Sequence, residues 1–157
     1  MATVYFSAEF SEITERLAKG SEKNKPVFSN YMQLMLFASM VGRDKAKDID
    51  IVKLSSKGNE IPERIFTSNH SEGYAYLLAL QYAQSGDILR DGNENDCWKV
   101  IESYADKGMG IVRDWLFEHP TDTTGVDTLL SKIKEKAEVL VNLGDEDSDP
   151  MSDFDIN

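Results

Sequence analysis

Hydrophobic and polar positions along the chain alternate mostly with helical period. The densest apolar run lies between Asn30 and Gly42, where only Gln33 and Ser39 interrupt Tyr31, Met32, Leu34, Met35, Leu36, Phe37, Ala38, Met40 and Val41. A helix this apolar on nearly every side needs neighbours all round it. Ser29 or Asn30 can cap it, and Gly42 is its expected stop. Upstream, Phe10, Ile13 and Leu17 form one narrow stripe, which predicts a helix from Ser7 to about Lys19 that ends at Gly20. Ser21 to Pro26 is polar and reads as a loop. Between Asp48 and Ile61 the pattern loosens. Ile49, Ile51 and Leu54 interleave with Asp50 and Lys53, and Gly58-Asn59 is a turn signal, so a small β-hairpin is expected there. Pro62 to Phe66 reads as a single helical turn with proline first.

Three more helices follow. Ser71 opens one that covers Glu72 to about Ser85, with Tyr74 to Leu80 almost free of polar residues. A long one begins near Glu94. Its stripe of Cys97, Ile101, Tyr104, Ala105, Gly108, Ile111, Val112, Trp115 and Leu116 keeps register across Gly108 and Gly110, which predicts one helix, kinked or closely packed at the glycines. The last starts after Thr123 or Thr124, with Val126, Leu129, Leu130, Ile133, Ala137 and Leu140 on one face. The expected fold is mainly α, a single compact helical domain of about five helices over residues 1–143. The helices at Tyr31–Val41 and Tyr74–Ala83 are its expected centre. Residues 144–157 carry no periodicity and are expected to be an acidic, mobile tail.

Charge changes this picture in one respect. The chain of 157 residues has 28 acids against 17 bases, a net charge of −11. Six of the acids lie from Gly144 onward with no base among them, and removing them leaves −5 for the domain. Such a surface repels bare nucleic acid and anionic lipid as a whole. A single cysteine, Cys97, excludes an internal disulfide. No secretory signal is visible, and the Tyr31–Val41 helix, at roughly 17 Å, is short of a bilayer's ~30 Å. A cytoplasmic protein is expected.

Candidate chemistry is sparse. His70 and His119 each stand alone, and Asp145–Asp149 lacks the glycine and closing glutamate of a calcium loop, so no metal site is expected. Cys97 lies in an apolar stripe beside Trp98, which favours an inert buried thiol. No Gly-x-Ser-x-Gly and no phosphate loop occurs. Gly108-Met-Gly110 sits inside a helix, where close packing explains it. Glu102 and Asp106, four apart on the long helix, read as a solvated pair. No catalytic residue and no cofactor is expected. The strongest basic stretch is Arg43, Lys45, Lys47, Lys53 and Lys57; Asp44, Asp48 and Asp50 reduce its net charge to +2. These five cations are the candidate contacts for nucleic acid or a partner, although the electrostatic footprint for DNA is weak.

Four segments then fall in a familiar order: Met35-Leu-Phe-Ala-Ser-Met-Val-Gly42, Ile61-Pro-Glu-Arg-Ile-Phe66, Tyr76-Leu-Leu-Ala-Leu80, and Tyr104-Ala-Asp-Lys-Gly-Met-Gly-Ile-Val-Arg-Asp-Trp-Leu116. Together, over roughly Phe10 to Ile133, they resemble the DNA phosphorothioation-associated (dnd system-associated) protein 4 family. The resemblance implies an accessory role in bacterial anti-phage defence, beside gene clusters that place sulfur in the DNA backbone. It implies no enzymatic activity and no functional residues to carry across. The expected function is that of a non-catalytic adaptor that binds a larger defence protein, an ATPase or a nuclease. The alternative is a regulator that binds or mimics DNA.

Overall fold

The computed structural model describes residues 2–147. It is mainly helical with one small antiparallel sheet. The first strand, β1 (Thr3–Ser7), sends Val4 and Phe6 inward and pairs with β2 (Lys57–Pro62). Thr3 stands opposite Pro62, Val4 opposite Ile61 and Tyr5 opposite Glu60, with an irregularity before Ser7 meets Lys57. The small β element is therefore present, but the partner of β2 is the N-terminal segment and not residues 49–54. This also shortens the first helix. Ser7 ends a strand, a single 3-10 turn covers Ala8–Phe10, and α1 runs only over Ser11–Ala18.

α2 (Tyr31–Lys45) begins at Asn30, whose side chain accepts the Gln33 amide at 2.9 Å. It does not stop at Gly42. That glycine packs against the next long helix, α5 (Glu94–Glu118), which is unbroken across Gly108 and Gly110. A Cβ on Gly42 would lie 3.0 Å from the Gly108 nitrogen, and one on Gly108 would lie 2.6 Å from the Ala38 carbonyl carbon. The two glycines face each other and let the backbones touch, a use that only glycine permits. The α2–α5 contact is the most extensive in the molecule. Leu34, Met35 and Ala38 from α2 meet Ile101, Tyr104, Ala105, Met109 and Val112 from α5 in one continuous core.

α3 (Glu63–Ser68) follows Pro62 and buries Phe66 against Trp98, ring centroids 4.9 Å apart. α4 (Glu72–Ala83) packs on α5 through Ala75, Leu78 and Ala79. The centre of the fold is thus α5 with α2, and α4 flanks it: Leu77 on its outer face is 55% exposed. Among the described residues no helix is long and apolar enough to cross a membrane.

α6 (Val126–Asp147) is launched by Asp122. Its carboxylate accepts the Gly125 amide at 3.1 Å, the Thr128 amide at 2.8 Å and the Thr128 hydroxyl at 2.7 Å. Gly125 takes a left-handed φ of 86° beneath Leu17, which suits glycine alone. α6 passes through Gly144 to Asp147; the expected tail beyond that, residues 148–157, lies outside the described residues.

Candidate interaction surface

Only the base of the α6 stripe enters the core. Leu129, near its base, is buried, whereas Leu130, Ile133, Leu140 and Leu143 are about half exposed. Between α6 and α2 lies a groove with about 640 Å³ of space. Phe37, Met40 and Val41 of α2 form one wall, Ile133, Ala137, Val139 and Leu140 of α6 the other, and Trp115 of α5 the floor. Met40, on the outer face of α2, is 50% exposed among the described residues.

Two polar braces set the spacing of these walls. Lys136 of α6 reaches Asp44 at the end of α2, nitrogen to oxygen 2.7 Å. Lys132 places its ammonium 5.9 Å from the Trp115 ring centre, a cation–π arrangement, with Glu118 and Glu135 within 4.0 Å. At the base, Arg16 donates from Nε to the Thr123 carbonyl at 2.7 Å and from its guanidinium to the Asp122 carbonyl. Burial alone would raise the Asp122 pKa. The hydrogen bonds from Thr128 and Gly125, with the Arg16 charge, outweigh it and hold the carboxyl below the usual range.

The five candidate cations divide among several surfaces. Lys45 lines the groove. Arg43 and Lys47 line a second cleft of about 430 Å³ between α2 and α4, with Met40, Asp44, Tyr74, Leu77, Leu78 and Gln81. Lys53 is exposed in the connection to β2, and Lys57, on β2, lies 4.4 Å over the Tyr5 ring. Lys47 is held from behind, because the buried Tyr104 hydroxyl donates to its carbonyl at 2.6 Å.

The acidic pair on α5 is not solvated as expected. Glu102 is 2% exposed, and its carboxylate accepts the Tyr5 amide at 2.9 Å and the Lys99 ammonium at 3.2 Å. Asp106, a turn further on, is partly covered. Burial first, then the charges of Glu9 and Glu102, push its pKa up, with Arg113 opposing. Glu102 faces β1 and Asp106 lies near Glu9 of the 3-10 turn after it, which the helical period of α5 does not reveal. This arrangement anchors β1; Glu102 serves as a hydrogen-bond acceptor for the strand. Cys97 is buried as expected, its thiol donating to the Ile88 carbonyl at 3.1 Å and its pKa raised by burial. His70 and His119 are exposed, His70 in a left-handed turn before α4 and His119 at the end of α5. Among the described residues no group of three or more His, Cys, Asp or Glu is placed to hold a metal ion.

The surface is therefore an apolar groove with a charged rim, suited to the side chains of a protein segment. A family model for DNA sulphur modification system-associated protein 4 matches residues 3–148, from β1 past the end of α6. No curated protein and no solved structure matches the chain.

Proposed function

Because the chain belongs to the DNA sulphur modification system-associated protein 4 family, we propose that it is a non-catalytic accessory protein of such a system, working by contact. In this reading the α2/α6 groove seats an apolar segment of a larger cytoplasmic partner, an ATPase or nuclease of an anti-phage defence operon. The observation that carries it is the uncovered stripe of α6 facing Met40 and Phe37 across the groove. Each large apolar side chain that a partner buried there would contribute about 1.5–3 kcal/mol before the cost of association. The Lys45, Asp44 and Glu135 rim would fix the partner's orientation.

The test is co-purification from the native host with a tagged chain. Wild type should retain a protein of the sulphur modification system, and Leu140→Glu should lose it while staying folded, because Leu140 is 57% exposed. Equal recovery by both would overturn the groove reading. Tight binding to plain duplex DNA that falls steeply with salt would favour the rival, a DNA-binding regulator.

A further inference from the structure

The second cleft has a different chemistry. In a chain with 28 acids and 17 bases, two cations, Arg43 and Lys47, line it with no carboxylate within 4 Å of either among the described residues. The one acid in its wall, Asp44, is engaged by Lys136 at 2.7 Å. Arg43 Nε is buried and has no hydrogen-bond partner among the described residues. Nε itself is shielded, so the guanidinium can meet an outside acceptor only through its terminal nitrogens. Tyr74 adds a hydroxyl. That hydroxyl accepts from Ser39 Oγ at 3.4 Å and keeps its own proton to donate.

We propose that the α2/α4 cleft is a receptor for a phosphate ester, with Arg43, Lys47 and Tyr74 donating to its oxygens. A planar guanidinium, an ammonium and a hydroxyl can each donate to a different oxygen of a tetrahedral dianion. Met40, Leu77 and Leu78 form an apolar wall beside these donors, with Leu77 half exposed, so the ligand carries an organic body and not phosphate alone. The 430 Å³ of the cleft falls within the range of small-molecule sites and accommodates one nucleotide. The Tyr104 bond to the Lys47 carbonyl presets that residue's backbone and leaves its side chain to be ordered on binding. This site does not depend on the groove reading, although Met40 and Asp44 border both.

Calorimetric titration of the full chain with inorganic phosphate, a deoxynucleoside 5′-monophosphate and a short 5′-phosphorylated single strand tests it. The monophosphate should bind saturably and more tightly than inorganic phosphate. Lys47→Gln, a surface change, should weaken it about tenfold, as expected for loss of one charge-assisted hydrogen bond. Lys57→Gln, over the Tyr5 ring, should leave it unchanged. A strand that binds far more tightly than the monophosphate identifies nucleic acid as the source of the ester; equal affinities identify a free nucleotide. Absence of saturable binding by all three probes would overturn the proposal, as would affinity that survives in Lys47→Gln and in folded Arg43→Gln.

Discussion

Gly108→Ala tests the packing that organises the whole fold. The substitution adds one methyl group where α5 meets α2. That Cβ would lie 2.6 Å from the Ala38 carbonyl carbon and 3.0 Å from the Gly42 nitrogen. Both are backbone atoms, so no side-chain rotation relieves the contact and the helices must separate. Removing a helical glycine returns about 1 kcal/mol of backbone entropy. Overpacking of a core costs about 1–3 kcal/mol, and a clash with rigid backbone belongs at or beyond the top of that range. The net expectation is a loss of about 2 kcal/mol, or a melting point lower by roughly 4–8 °C for a chain of this length. Gly110 supplies the control two residues away. Nothing lies within 4 Å of its Cβ position, so Gly110→Ala should stabilise by about 0.5–1 kcal/mol. Urea unfolding of the three proteins measures both values. If Gly108→Ala matches Gly110→Ala in sign, the close approach of α2 and α5 is wrong.

Three further changes probe other parts of the structure. Glu102→Ala leaves the Tyr5 amide without its acceptor and should cost about 1–3 kcal/mol, with faster hydrogen exchange at Tyr5; Glu102→Gln should cost less than half as much. Asp122→Ala should remove about 1 kcal/mol at neutral pH through loss of the α6 cap. Since the folded pKa of Asp122 is depressed, its contribution is present above the unfolded value of about 3.9 and is lost as pH falls through the folded value, so the two proteins should converge in strong acid. Asp106→Asn carries the opposite sign. The folded pKa is raised, so ionisation costs stability as pH rises from about 3.9 through the folded value, and the variant should melt higher at pH 7 but not below pH 3.

Helices were legible wherever local signals set them. The Asn30 cap, the unbroken stripe across Gly108 and Gly110, and the start of the last helix after Thr124 all depend on residues within a few positions of one another. β1 was not legible, because its partner lies more than fifty residues away and no turn joins them. Glu102 followed from that omission, since its acceptor role exists only once β1 lies across α5. The stripe on α6 was read correctly as apolar, but periodicity reports a face and not what covers it. The basic stretch is continuous from Arg43 to Lys57 in sequence, yet α2, a loop and β2 carry its members to separate surfaces.

Site-specific photo-crosslinking addresses the proposed function most directly. A photoreactive phenylalanine at Leu140, in the groove, is compared in the native host with one at Leu89, a comparably exposed position in the 3-10 turn before α5. The account expects a single adduct at Leu140 with a protein of the sulphur modification system and none at Leu89. Adducts at Leu89 alone, or none at Leu140 when the partner is present, would contradict it.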